Sequence, residues 1–251
     1  MNYNIWAIIP ARYASKRLPG KPLREIAGKP LIWWAWRAAT NSGLFNKVII
    51  ATDDERIAKT SESFGADYTM TNPEHASGTD RIAEVIISTL PSSRPSVVLN
   101  IQGDEPLLTP GILEQFVPKF IESGKPMGTI ITPARMDEIE DPATVKVITD
   151  SNNDALYFSR ARIPFDRDGM GRVIYYKHIG IYAFQTPALI EFSKMKPSKL
   201  ETIEKLEQLR AIENGWKISC VEITEATNLI GVDTESDLKR AEKVILRGNI
   251  E

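Results

Sequence analysis

What most constrains this chain is the rhythm of its first half, where short apolar runs alternate with amphipathic stretches. Residues 5–9 (IWAII), 47–52 (KVIIAT) and 96–101 (SVVLNI) are nearly unbroken apolar runs. Strands buried on both faces read this way, without the in–out alternation of a half-exposed sheet. Between them, residues 31–40, 54–64 and 79–90 carry helical periodicity, and Thr52-Asp53-Asp54 supplies capping side chains for the second of these helices. The order βαβα predicts an α/β fold with an open, mostly parallel sheet flanked by helices. In such folds ligands bind beyond the carboxyl ends of the strands, near the point where the strand order reverses. Chemistry is therefore to be sought in residues 10–21, 52–54 and 102–105.

The second half is more mixed. Residues 127–132, 145–149, 155–159 and 217–223 read as strands, and 175–184 as a longer strand or hairpin arm. Residues 200–214 predict one helix with Leu200, Ile203, Leu206, Leu209 and Ile212 along a stripe, and residues 234–246 a closing helix. No repeat or linker-like segment interrupts the 251 residues, which predicts a single domain over 1–251. Trp33, Trp34 and Trp36 crowd the first helix and predict core packing.

Composition narrows the function. A balance of 31 basic against 33 acidic residues argues against a nucleic-acid coat or a membrane-surface role. One cysteine, Cys220, within an apolar run predicts a buried structural thiol, and two histidines leave little material for a zinc site. The apolar start at residues 5–9 is too short to span a membrane and lacks the flanks of a secretory leader, which predicts a cytoplasmic protein.

After the first strand, residues 10–22 read PARYASKRLPGKP. Its backbone N–H groups can cradle a polyphosphate, with Arg12, Lys16, Arg17 and Lys21 to neutralise it. The glycine spacing matches neither a Walker A loop nor a dinucleotide fingerprint, which counts against a P-loop kinase and an NAD enzyme. Read alone, Asp104 in its Gly-Asp segment is either a ligand or a turn residue, and Asp233 either a ligand or a helix cap competing with Thr234. For Asp53 and Asp54 the local pattern favours a cap and a first-turn carboxylate, and they are left out of the metal site.

Residues 9–21 also resemble the signature loop of sugar nucleotidyltransferases, IPAR-x-x-S-x-R-x-x-x-K. The segments VIIATD (48–53), ASGTDR (76–81), NIQGDEP (100–106), ALYFSRARIP (155–164), HIGIY (178–182), LEQLR (206–210) and GVDT (231–234) follow in order. Together they resemble the 3-deoxy-manno-octulosonate (Kdo) cytidylyltransferase family over nearly the whole chain.

That resemblance implies a Rossmann-like nucleotidyltransferase fold with a mixed, mostly parallel sheet. It implies transfer of CMP from CTP to the anomeric hydroxyl of Kdo, with release of pyrophosphate, to make CMP-Kdo for lipopolysaccharide biosynthesis. Phosphoryl chemistry of this kind needs positioning and charge neutralisation more than covalent catalysis. The resemblance accordingly implies Mg²⁺ on Asp104 and Asp233, with Arg12, Lys21 and Asp104 as catalytic groups. Pro10, Ala11, Arg12, Lys21 and Gln102 are implied for the nucleotide. Arg81, Arg160, His178, Glu207, Gln208 and Arg210 are implied for an acidic 2-keto sugar, which needs a cation for its carboxylate and partners for its hydroxyls. Residue by residue, Arg81 and Arg160 also read as surface arginines, His178 as a core histidine, and Glu207 with Arg210 as an exposed i,i+3 pair. The family pairs its subunits, which implies a homodimer, with sugar-binding and contact elements around residues 155–215 and the apolar segment 175–184 as a candidate contact.

The chain departs from the pattern at Gln185, where the family often carries arginine, and in its tryptophan cluster. These departures leave open an 8-amino-3,8-dideoxy analogue as the sugar. A cytidylyltransferase for nine-carbon sialic-acid-like sugars would not be expected to carry LEQLR and HIGIY together. A catalytically dead nucleotide-binding regulator is argued against by the presence of both aspartates.

Overall fold

The structure, a computed structural model, describes residues 3–15, 17–169, 171 and 173–248. In chain order, β1 is Ile5–Ala11, β2 Glu25–Ile26, β3 Lys29–Pro30, α1 Leu31–Asn41, β4 Lys47–Thr52, α2 Glu55–Ser63, β5 Asp67–Met70, α3 Gly78–Ser88, β6 Val97–Asn100 and α4 Pro110–Ser123. There follow β7 Met127–Pro133, α5 Met136–Ile139, β8 Lys146–Thr149, β9 Ala155–Ser159, β10 Tyr176–Gln185, α6 Thr186–Phe192, α7 Lys199–Glu204, α8 Leu209–Glu213, β11 Ile218–Glu222 and α9 Glu235–Arg247. The elements fall into two compact units, Met1–Glu114 with Asn228–Glu251, and Gln115–Thr227. No helix among the described residues is long and apolar enough to cross a membrane.

In the first unit β1 lies between β4 and β6, β5 lies beyond β4, and every pairing is parallel. The three apolar runs form the middle of this sheet, and Ile8, Ile9, Ile50, Val98 and Leu99 are fully buried, as expected of strands covered on both faces. The chain moves from β1 to β4 and β5 on one side, then returns to place β6 on the other. The strand order thus reverses between β1 and β6. Because the strands are parallel, the ends of β1, β4 and β6 deliver their loops to one edge of the sheet. The α1 tryptophans divide between core and rim. Trp34 is buried and donates Nε1–H to the Ile26 carbonyl at 3.2 Å, whereas Trp33 lies half-buried with the Arg37 guanidinium 5.0 Å from its ring centre.

In the second unit β7 pairs parallel to β11 and antiparallel to β10, β10 pairs antiparallel to β8, and β8 antiparallel to β9. The chain thus folds into the mixed α/β sheet with flanking helices that the sequence predicts. Two small residues on β7 decide its packing. A Cβ at Gly128 would meet the Phe120 ring at 2.4 Å, so only glycine lets α4 close on the strand. Thr129 donates its hydroxyl to the carbonyls of Ile179 (3.1 Å) and Ile181 (2.8 Å), filling the bulge where the β7–β10 register slips.

One element departs from expectation. The helix predicted over 200–214 is two helices, α7 and α8, parted at Lys205, whose φ of 57° lies in the left-handed region. A left-handed residue ends an α-helix, so the apolar stripe is split: Leu206 and Leu209 are buried, while Ile203 is 67% exposed. Segment 175–184 is largely interior, with β7 along one edge and β8 at its start. Exposed apolar side chains in this region are instead Leu156, Phe165, Ile174 and Ile203. Cys220 is buried as expected, and burial, reinforced by Asp154 and Asp150, pushes its thiol up to about 12.

Candidate active site

The loops after β1 and β6 and the turn before α9 enclose a cleft of ≈ 800 Å³ in the first unit, at the point where the strand order reverses. Its walls include Pro10, Ala11, Arg12, Lys21, Gln102, Asp104 and Asp233, the residues singled out for the nucleotide and the metal. Arg81 lines it as well. Lys16 lies outside the described residues.

Each wall has a local cause. Gly20, at φ 67°, turns the chain so that Lys21 opens a short 3-10 turn pointing back at the sheet. Lys21 Nζ hydrogen-bonds Asp104 Oδ2 and reaches Asp233 Oδ1 at 3.1 Å. Burial disfavours the charge on Lys21, but the two carboxylates outweigh it, and the net effect raises its pKa above the ordinary lysine value. Arg17 Nη2 binds the other oxygen of Asp233 at 2.8 Å. The backbone sets the aspartates side by side, because Val232 N–H donates to the Asp104 carbonyl at 2.9 Å. Arg12 is exposed and, among the described residues, enters no ion pair.

The ambiguity at residue 233 is resolved by the neighbouring helix. Thr234 is the N-cap of α9: its hydroxyl accepts from Asp237 N–H, and the Asp237 carboxylate accepts from Thr234 N–H at 3.0 Å. Asp233 is therefore free of the cap, and its carboxylate faces Lys21 and Arg17. Asp54, similarly, caps α2 by accepting from Arg56 N–H at 2.9 Å, and Asp53 binds Arg81 Nη2 at 2.9 Å. Neither aspartate joins the Asp104–Asp233 pair.

Two carboxylates converging on one cationic nitrogen show that a single cation can sit within reach of both. Magnesium needs no more, since it keeps several of its waters and takes one or two protein carboxylates. No cluster of three or more His, Cys, Asp or Glu suited to a metal occurs among the described residues.

Among the cleft residues for which the sequence suggested no ligand role are His75, Ser77 and Gly78. His75, whose Nε2 lies 2.6 Å from Glu84 Oε2, lines the cleft beside Ser77, the N-cap of α3, and Gly78. A Cβ at Gly78 would stand 3.0 Å from Pro10 Cγ, so glycine lets α3 approach the end of β1. The segment ASGTDR held the signal: its Ser77-Gly78-Thr79-Asp80 lead-in reads as a helix cap, as Ser77 is, and only its arginine was given a ligand role.

The profile of the cytidylyltransferase family matches residues 6–218. The 3-deoxy-manno-octulosonate cytidylyltransferase of Acidobacterium capsulatum is 45% identical over 243 residues, covering 97% of both chains. That of Lawsonia intracellularis is 46% identical over 234 residues, covering 93% of this chain and 91% of its own. The chain belongs to the 3-deoxy-manno-octulosonate cytidylyltransferase family. It is thus a nucleotidyltransferase. Among solved structures it resembles a CMP:2-keto-3-deoxy-manno-octonic acid synthetase complexed with CTP, with TM-score 0.90, 36% identity and coverage of 97% of this chain and 99% of the other. A 4-diphosphocytidyl-2C-methyl-D-erythritol synthase from Anaerococcus prevotii shares the fold, with TM-score 0.64 at 15% identity.

In this cytidylyltransferase the residues singled out for the sugar are divided. Arg81 belongs to the first unit, buried, with Nη1 on the Thr71 hydroxyl and Nη2 on Asp53. The others lie in the second unit. Arg160 donates from Nε to the Glu204 carbonyl and from Nη1 to the Pro142 carbonyl, both at 2.9 Å. Arg210 grips Glu201 through Nε (2.9 Å) and Nη2 (2.6 Å) and stacks on Phe192. Glu207 Oε1 lies 3.7 Å from Arg210 Nη2, so the pair read as exposed is largely buried. His178 lies between the rings of Phe158 and Tyr182, 5.2 and 5.3 Å away. Part of the residue is accessible, but Nε2 is buried without a hydrogen-bond partner, as is Gln208 Nε2. Burial holds the imidazole neutral, with its pKa lowered to about 3. Gln185, where the family often has arginine, donates Nε2–H to the carbonyls of Gly124 and Lys125.

Proposed function

We propose that this chain transfers CMP from CTP to the anomeric 2-hydroxyl of Kdo, releasing pyrophosphate, and so makes CMP-Kdo for lipopolysaccharide biosynthesis in the cytoplasm. The likeness over nearly the full length to a synthetase solved with CTP carries this reading. The names of the relatives favour Kdo over its 8-amino analogue.

The sugar oxygen attacks the α-phosphorus, the bond from that phosphorus to the bridging oxygen of the β-phosphate breaks, and the hydroxyl proton passes to solvent. Arg12 and Lys21 meet the charge on the α-phosphate and the leaving pyrophosphate, where fixed cations act most strongly. Pro10, Ala11 and Gln102 border the nucleotide at the ends of β1 and β6. Asp104 and Asp233 would hold Mg²⁺, which supplies Lewis-acid polarisation of the phosphate oxygens when bound. Of the residues expected at the sugar, His178 and Gln208 offer unspent polar atoms for its hydroxyls and Arg81 lines the cleft, while Arg160, Glu207 and Arg210 hold the fold around them through their own pairings. The exposed Leu156, Phe165, Ile174 and Ile203 support a homodimer, and a monomer by light scattering at working concentration would sink that part.

The test is pyrophosphate release with CTP and Mg²⁺, run in parallel on Kdo, 8-amino-Kdo and sialic acid. Release is expected with Kdo. Silence with all three sugars, or a preference for UTP, would overturn the reading.

A further inference from the structure

Helix α2 begins one residue after its cap, Asp54, and its second residue is Arg56. The Asp54 carboxylate does more than cap. It binds the Arg56 side chain with both oxygens, Nε to Oδ1 at 2.9 Å and Nη2 to Oδ2 at 2.7 Å. Such a fork fixes the plane of a guanidinium as well as its position. The plane lies over the ring of Tyr13, with Cζ 3.3 Å from the ring centre.

Tyr13 in turn touches the glycine that aims Lys21. A Cβ at Gly20 would stand 3.1–3.2 Å from Cε2, Cζ and Oη of Tyr13, in a backbone conformation (φ +67°) that disfavours side chains in any case. Gly20 N–H also donates to the Tyr13 carbonyl at 3.2 Å. A continuous set of contacts therefore runs from the start of α2, through the Arg56–Tyr13 stack, to the turn that presents Lys21. Neither Tyr13 nor Arg56 is among the walls of the cleft.

We propose that Arg56 is a positioning residue: oriented by Asp54 and stacked on Tyr13, it holds the Gly20–Lys21 turn in the geometry that binds the nucleotide. The proposal rests on the reading of this cleft as the CTP site. A loop already in its bound conformation spares the ligand the cost of ordering it, and bound CTP then holds Lys21 in place itself, so loss of the latch raises KM while kcat is retained.

Amide hydrogen exchange on the ligand-free chain tests this directly. Arg56→Ala should speed exchange at Gly20 and Lys21 several-fold, leave the thermal melt in place, and raise the CTP KM about threefold to fivefold with kcat retained, the range of an exposed cation–π contact. Asp54→Asn, which keeps a good helix cap and loses the charged fork, should move both readouts the same way by less. Tyr13→Phe should match the parent, and Arg56→Ala added to Tyr13→Leu should cost nothing beyond Tyr13→Leu alone. Unchanged exchange at Gly20 and Lys21 in Arg56→Ala would overturn the proposal, as would a fall in kcat at constant KM. A parent chain without CTP turnover would sink the proposed function instead, and the exchange comparison would still decide the latch.

Discussion

The two units hold their charges in opposite ways. In the first unit Lys21, Asp104, Asp233 and Arg17 sit on loops at a sheet edge, pair with one another, and line a cleft. In the second unit the arginines of interest are tied into the fold: Arg160 links β9 to Glu204 and Pro142, and Arg210 is clamped on Glu201. There the unspent hydrogen-bonding capacity lies on uncharged atoms, His178 Nε2 and Gln208 Nε2. Charge on a loop is available to a ligand, whereas charge in a packed interior is committed to structure. Substitution in the first unit should cost activity, and in the second, stability.

The largest effect expected is at the aspartate pair. Asp104→Asn and Asp233→Asn should each lower turnover by a factor of about 10² to 10³, the scale of losing one electrostatic contact to a transition state. The melt should stay within a degree or two of the parent. Unfolding of either variant at assay temperature would mean that the pair holds the loops together, and the contrast between the units would fail.

Next comes Arg210→Met. Arg210 and Glu201 have side chains only 7% and 14% exposed, so removing the cation strands a carboxylate in a poor solvent for charge. The expected loss is about 3 kcal/mol of folding stability. A denaturant titration measures it. An unchanged midpoint with a raised Kdo KM would move Arg210 from the structural to the ligand-binding class.

His178 yields a pH dependence. In the unfolded chain it titrates near the ordinary value of 6.5, and in the folded chain near 3. Below pH 6.5 the unfolded state takes up a proton that the folded state refuses, so stability falls as pH falls and is fully present above that window. Between pH 6.5 and 5 the loss attributable to this one group is about 2 kcal/mol. His178→Gln should flatten that part of the melting-temperature profile. A profile identical to the parent's would show that Nε2 is solvated in solution.

Sequence legibility followed the same division. The parallel core of the first unit was readable because strands such as Ile5–Ala11 and Val97–Asn100 are apolar on both faces, and their loops must then fall at one edge. The loops that carry Lys21 and Asp104 were therefore located, although 83 residues separate the two, whereas the roles expected of them came from the family resemblance. His75 was missed because a single polar residue in a loop carries no period. The break at Lys205 was invisible because periodicity continues across a left-handed residue that is neither glycine nor asparagine. The commitment of Arg160 to the carbonyls of Glu204 and Pro142 could not be read either, since long-range pairing leaves no local trace, and that of Arg210 to Glu201 was hidden by the unforeseen break between α7 and α8.

The smallest effect tests the contrast at the scale of one residue. Asp233 and Thr234 are neighbours in the first unit, yet the aspartate faces Lys21 while the threonine caps α9 in a reciprocal box with Asp237. If side-chain commitment, and not the unit a residue belongs to, decides the cost, Thr234→Ala should behave like a second-unit substitution. Losing the cap leaves an N–H at the start of α9 without its partner and should cost about 1 kcal/mol, a melting shift of about 2–4 °C in a chain of this size. Turnover at a temperature well below the melt should stay within about twofold, and Thr234→Ser, an equally good cap, should restore the melt. If Thr234→Ala instead lost activity as deeply as Asp233→Asn with the melt unmoved, the hydroxyl would belong to the cleft, and the boundary drawn between ligand and cap would have to move by one residue.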